Sequence, residues 1–419
     1  MAQYDCKVWR AIVAGKRLRD SGWRLCHGPG MDAADTVELR RALHALAELS
    51  LEEHRTSAVI REQLQQSGVE VLSAPTPTGA LAVVRGATSE RSIALRADID
   101  ALPIRERTGL GFASTSDVMH ACGHDAHTAM RLAAADELQA RAHDLPCDVL
   151  LVFQPGEELA GGARQMLDAG LFDQGRLASL GCTVPTSMTG LHVAAMMPTG
   201  RLGLHDGLAL SGADVLEVRV SGAGGHGAFA GQGGALIAAA EIAQRLSEVV
   251  SGMNGAGTPA ACSAGLLTAG RASNVLPDTA RLLGTLRTFD DAQRAEALAR
   301  LQALLGDIDA RAGTVSELTL GLRVPPVVND ASVTDVVRQA LGQAGMETFR
   351  PPPLPPSDDI SELFTQVPGV YLFLGAAPED GSRAHHSAEF DIDEAVLPFG
   401  ITVLTAAARA LAHDAVTGP

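Results

Sequence analysis

Aromatic residues are nearly missing from this chain, at 3% of 419 residues against 46% apolar residues overall. Ala, Leu and Val must therefore fill most of the interior. Lysine is scarce, no Lys/Arg block occurs, and the formal net charge is −16. A phosphate backbone needs a basic surface, so nucleic acid is excluded as a partner. No uninterrupted apolar run of about eighteen residues exists, so no membrane span is expected. Arg10, Lys16, Arg17 and Arg19 break up any apolar leader segment. The cysteines Cys6, Cys26, Cys122, Cys147, Cys182 and Cys262 form no CxxC pair and no regular framework. They read as reduced thiols, and the expected location is cytoplasmic.

The length is ample for two domains. Residues 1–32 have weak periodicity and a Cys-His-Gly-Pro-Gly stretch, and read as an N-terminal extension. Helical spacing follows over 36–66, broken near Ser50, and then short strand-like runs at 69–72, 80–84 and 92–97. A helix at 126–143, a compact strand at 148–153 and a short strand at 189–193 continue the alternation, which predicts an α/β mixed sheet covered by helices. The middle has another texture. Strand-like runs at 215–220, 261–267 and 280–289 surround a helix at 235–250, and Asp290 caps a long helix over 291–312. These make an inserted α+β domain at 205–314, leaving 33–204 and 315–419 as the two parts of the first domain.

Chemistry concentrates in the stretch from Met119 to His127, which packs a thiol, three imidazoles and a carboxylate into nine residues. Cys122 and His124 flank a glycine that lets the backbone turn tightly enough for both to reach one divalent metal. Glu157-Glu158 follows the strand at 148–153, His192 closes the short strand at 189–193, and His385-His386 follows a strand at 370–375. Singly, each has a plainer reading: a buried cysteine as a small hydrophobe, a hydrogen-bonded core histidine, a solvated acidic pair. Jointly they form a ligand set too large for one closed tetrahedral zinc and suited to two metals sharing a ligand and a water. The acidic pair divides the labour: Glu158 binds metal, and Glu157 takes a proton from the water. Asp98 and Asp100 fall on one face by period-two spacing, where a carboxylate either holds a ligand imidazole or caps a turn.

Together these residues resemble the amidohydrolase branch of the dinuclear metallo-aminoacylase and carboxypeptidase family, the branch of hippurate hydrolase, N-acyl-amino-acid amidohydrolases and plant auxin-conjugate hydrolases. The resemblance runs from about Val37 to Ala412, through ALRADIDALP (94–103), MHACGHDAHTA (119–129), QPGEELAGGARQML (154–167), GLHV (190–193), GAGGHGA (222–228), AGRASNVLPDTARLLGTLRTFD (269–290) and HHSAEFDIDE (385–394). It implies a mixed-sheet dinuclear-metallopeptidase catalytic domain with an inserted lid and dimerisation domain. It implies Cys122, His124, Glu158, His192 and His386 as ligands, His386 being preferred to His385 because it stands four residues before Phe390. Glu157 corresponds to the general base and Asp100 to the acidic residue behind the metals. His226 matches a histidine that completes the partner subunit's site, and Asn274 and Arg287 match positions that hold the substrate carboxylate or the oxyanion. The implied cofactors are two divalent ions, zinc or manganese, with cobalt or nickel as further options. The implied partner is a second copy of the chain, joined through the lid.

This chain departs from the family pattern at His44-Ala-Leu-Ala-Glu48, after His226, at Ala388 and at Pro355-Pro356. None of these removes a ligand. The expected activity is hydrolysis of an N-acyl amino acid by a metal-activated water. Dipeptide carboxypeptidase and N-acetyl-diaminopimelate-type deacetylase are the alternatives within hydrolysis, and a metal-binding protein without turnover is a third. Gly222-Ala-Gly224-Gly-His-Gly227 is literally GxGxxG after a strand, but the expected helix starts only near Ala235, so the dinucleotide-binding reading is remote.

Overall fold

The computed structural model describes residues 31–229, 234–255, 257–379, 381 and 383–417. The expectation of an N-terminal extension lies, up to residue 30, outside them. The chain divides into two compact units, the first comprising 31–207, 329–351 and 362–417 of the described residues.

Eight strands build the sheet of the first unit: β1 (Glu70–Leu72), β2 (Ala80–Val84), β3 (Ser92–Asp98), β4 (Asp148–Gln154), β5 (Met188–Pro198), β6 (Leu202–Leu204), β7 (Thr348–Phe349) and β8 (Gly369–Ala377). Their order is β1-β2-β4-β3-β5-β8-β6-β7. The central strands β4, β3, β5 and β8 run parallel, while β2 meets β4 and β6 meets β8 antiparallel, so the sheet is mixed as predicted. Every residue of β2, β3 and β4 is buried, which is why these segments read as continuous apolar runs rather than alternating ones.

The helices α1 (Ala33–Leu46), α2 (His54–Gln66), α3 (His124–Ala140), α4 (Ala331–Gln343) and α5 (Leu397–Thr417) complete this unit. Asp32 caps α1 in a reciprocal box with Asp35, and Asp330 caps α4 through Val333 N–H. The segment Glu394–Ala415 is long and apolar enough to cross a membrane by length and composition alone. Val403, Leu404, Ala407, Ala408 and Leu411 are buried in the unit's core, and α5 packs on α3, α4 and β3, so it serves as a core helix.

The second unit comprises 208–328 and 352–361. Its antiparallel sheet has the order Ala261–Ala269, Thr279–Thr288, Gly212–Ser221, Val315–Val324. Helices Ala235–Arg245 and Asp291–Ala312 cover one face; Asp290 caps the second through Gln293 N–H, as its sequence predicts. Leu301, Leu304 and Leu305 of that helix are buried. The sequence reading ended this domain at 314, but Val315–Val324 pairs residue for residue with Gly212–Ser221. Alternation identifies a strand without naming the sheet that receives it. Helix α4, whose buried Val333, Val337 and Leu341 follow helical spacing, and the two- and three-residue strands β7 and β6 are absent from the sequence reading.

Candidate metal centre

The first unit gathers Asp100, Cys122, His124, Glu157, Glu158, His192 and His386 around one cluster of donor atoms. The geometry starts at Gly123, the residue before α3, whose φ is +92°. A Cβ there would lie 2.4 Å from Val193 Cγ2. Glycine alone allows this close approach, and it sets Cys122 and His124 on either side of the bend. Gly123→Ala is expected to weaken metal binding roughly tenfold or more, since left-handed backbone alone costs an alanine about 1–2 kcal/mol. Competition with a chelator of known affinity measures this.

His124 opens α3 and is buried. Its Nδ1 faces the carbonyl oxygen of Asp100 at 3.0 Å and its carboxylate at 3.2 Å. The carbonyl oxygen can only accept, so Nδ1 carries a proton, and Nε2 is the ring nitrogen turned to Glu157 and Glu158. Asp100 is itself held by Ser50 Oγ at 2.6 Å and by Glu158 N–H at 2.9 Å. Burial opposes its ionisation, yet the His124 bond and charge, with the bonds from Ser50 and Glu158, hold its carboxyl below the usual range. So Asp100 is the carboxylate behind the His124 imidazole. Asp98 serves a different imidazole: it accepts from His127 Nδ1 at 2.6 Å and from Arg96 Nη1 at 2.7 Å.

His192 lies inside β5 rather than closing a short strand as the sequence suggested. Strand β3 stops pairing with β5 at Gly190, so β5 continues past its neighbour to Pro198, leaving His192 beyond the shared edge. Its Nδ1 meets Val193 O at 2.6 Å, and its Nε2 lies 3.5 Å from Cys122 Sγ. Sulfur and nitrogen ligands on one tetrahedral zinc stand about 3.5 Å apart. Burial, with His127 and His385 nearby, lowers the His192 pKa, so the ring stays neutral, the form that binds metal.

Glu157 and Glu158 follow β4 directly. Glu158 Oε1 stands 3.3 Å from His386 Nε2 and 3.9 Å from His124 Nε2, while Glu157 Oε2 stands 4.0 Å from His124 Nε2. His386 has φ +60° and Ala160, just past the acidic pair, has φ +55°. Left-handed backbone at non-glycine residues is costly and collects where a site over-determines it.

Cys122 belongs to two groups of donors, one with His124 and His192, the other with Glu158 and His386. Among the described residues, buried His124 Nε2 finds no hydrogen-bond partner, and Glu158 Oε1 is met by His386 Nε2 at 3.3 Å. An unmatched buried atom of this kind is costly unless a cation sits beside it. Carboxylates, a thiol and imidazoles facing a common space fit divalent metal.

The rest of the opening stretch supports this centre. Asp125 pairs with buried Arg40 at 2.8 Å and with His44 Nδ1 at 2.8 Å, and His44 Nε2 meets Glu106 at 3.2 Å. His120 is buried.

His226, Asn274 and Arg287 belong to the second unit. Gly225–His226 forms a short ladder with Val275–Leu276, and Gly227 N–H donates to Asn274 O at 2.9 Å, so His226 and Asn274 lie side by side. His226 Nδ1 accepts from Ala228 N–H at 3.1 Å. Arg287 lies apart on Thr279–Thr288 and donates to Ser357 Oγ at 3.0 Å. The GxGxxG glycines Gly222, Gly224 and Gly227 flank this ladder; Gly227 opens only a three-residue 3-10 turn and the α-helix starts at Ala235, which argues against the dinucleotide reading.

Residues 94–410 match peptidase family M20/M25/M40. The chain is 34% identical over 363 residues to N-acetyl-L-cysteine deacetylase of Bacillus subtilis (strain 168), covering 86% of this chain and 84% of that one. It is 32% identical over 372 residues to thermostable carboxypeptidase 1 of Saccharolobus solfataricus, covering 87% and 92%. Among solved structures, a dinuclear metal-binding peptidase of family M20 from Bacillus subtilis superimposes with a TM-score of 0.76 at 30% identity, covering 91% of this chain and 98% of that one. The chain therefore belongs to peptidase family M20/M25/M40, and within it to the amidohydrolases.

Proposed function

We propose that this enzyme cleaves the amide bond of N-acyl amino acids at a dinuclear centre held by Cys122, His124, Glu158, His192 and His386. The observation that carries the reading is the place of the acidic pair on the donor cluster: Glu158 and Glu157 stand 3.9 and 4.0 Å from His124 Nε2, and Glu158 also stands 3.3 Å from His386 in the donor group of Cys122. These donors would hold two divalent ions, which would supply an acidified water and a polarised scissile carbonyl. Glu157 accepts that water's proton on a carboxylate oxygen and delivers it to the leaving nitrogen. Asp100 keeps His124 in the tautomer whose Nε2 is a donor. The thiolate favours zinc over magnesium or calcium, and manganese, cobalt and nickel also suit imidazole and carboxylate donors.

The second unit carries the remaining candidate residues of this proposal. By the family likeness Asn274 and Arg287 hold the substrate carboxylate or the oxyanion, and the partner subunit's His226 stabilises the oxyanion. A homodimer through this unit is supported by its edge strand Ala261–Ala269, which carries no charged residue and is largely exposed. A thiolate ligand also suits a reducing compartment, consistent with a cytoplasmic enzyme.

Amine release across a panel of N-acetyl and N-benzoyl amino acids, with dipeptides and N-acetyl-diaminopimelate alongside, tests the substrate class. Turnover is expected on simple N-acyl amino acids. Cleavage of dipeptides alone would replace this reading with a carboxypeptidase.

A further inference from the structure

Strand β5 runs beyond β3, so part of its backbone edge lacks a strand neighbour. Two imidazoles take that neighbour's place. Val193 N–H donates to His127 Nε2 at 2.9 Å, and Ala195 N–H donates to His385 Nε2 at 3.1 Å. Residues 193 and 195 point the same way along a strand, so the two rings seal one edge at successive positions. A backbone amide can only donate. Each Nε2 is therefore an acceptor, and each ring carries its proton on Nδ1.

That assignment decides what each Nδ1 does. His127 Nδ1–H donates to Asp98. His385 Nδ1 stands 3.5 Å from Cys122 Sγ, so its proton points to the sulfur. Both nitrogens of His385 are then committed, one to the strand and one to the thiolate. Neither is left to bind metal, which leaves the adjacent His386 as the ligand of the pair. Phe390 packs against the His385 ring, with centroids 4.8 Å apart, and fixes its plane.

We propose that His385 is a positioning residue that holds the Cys122 thiolate through an N–H···S hydrogen bond anchored on β5. This deepens the dinuclear reading above and rests on it. The bond draws electron density from the sulfur, which leaves a bound ion more Lewis acidic, and it fixes the direction of the ligand that both donor groups share.

The test uses the full-length protein loaded with cobalt(II), whose sulfur-to-metal charge-transfer band reports directly on the thiolate. Wild type is expected to show the band, and Cys122→Ser to lose it. In His385→Leu the band is expected to move to longer wavelength with both ions retained and affinity lowered about 10–100-fold. His385→Gln, which keeps an N–H donor and an acceptor, is expected to recover part of the shift. A band at the wild-type position in His385→Leu would overturn the proposal. So would loss of one ion in both variants with unchanged unfolding of the metal-free proteins, because His385 would then be a ligand. Absence of the band in cobalt-loaded wild type would instead strike at Cys122 ligation and take the dinuclear reading down with it.

Discussion

Glu157→Gln is expected to bind two ions per chain like the wild type and to lose roughly 100- to 10,000-fold in kcat, the usual contribution of a positioned general base. The amide matches the carboxylate in size but cannot take a proton from water. Glu157 stands 4.0 Å from His124 Nε2, whereas Glu158 lies 3.3 Å from His386 and shares a donor group with Cys122. Glu158→Gln should therefore behave differently, lowering metal content first and turnover as a consequence. Metal analysis and kinetics on the same samples separate the two roles. Equal metal loss in both variants would mean that the acidic pair acts as one ligand unit. Normal turnover in Glu157→Gln would remove it as the base.

The second large effect is on stability. Asp125→Ala is expected to destabilise the first unit by about 3–5 kcal/mol, measured by denaturant unfolding of the metal-free protein. Arg40, His44 and Asp125 have fully buried side chains, and Asp125 pairs with both of the others at 2.8 Å. Removing the carboxylate, one residue from His124, takes the shared partner from two buried cations, leaving Arg40 to Glu394 and Asp391 and His44 to Glu106. Burial opposes charge on His44, but bonds to Asp125 and Glu106 override it and raise the imidazole above 6.5. A raised histidine contributes stability that is complete below pH 6.5 and fades as pH climbs through the folded value. Loss of Asp125 should flatten that alkaline fade. A change under 1 kcal/mol would show that the network is solvated rather than held in the interior.

The legible part of the site was its chemistry. Cys122-Gly123-His124 and Glu157-Glu158 offer candidate donors through residue type and spacing, and β4 ends shortly before the acidic pair. Strands β2 and β3 were legible because burial on both faces leaves long apolar runs. The division of work between Asp98 and Asp100 was not. A two-residue spacing puts both on one face, but only the fold shows that Asp100 meets His124 while Asp98 meets His127. Nor could spacing separate His385 from His386 on physical grounds. The distinction lies in the amide of Ala195, nearly two hundred residues away in sequence. The sheet that receives Val315–Val324 is set by pairing with Gly212–Ser221, which no local pattern announces.

The central claim is that these donors, scattered from Cys122 to His386, make one dinuclear hydrolytic centre. The most direct measurement is a metal titration of exhaustively chelated protein, following amine release from an N-acyl amino acid at each addition of zinc or manganese. Activity absent at the start and saturating at two equivalents per chain is the predicted result. Hydrolysis that persists without metal, or that saturates at one equivalent, would contradict it.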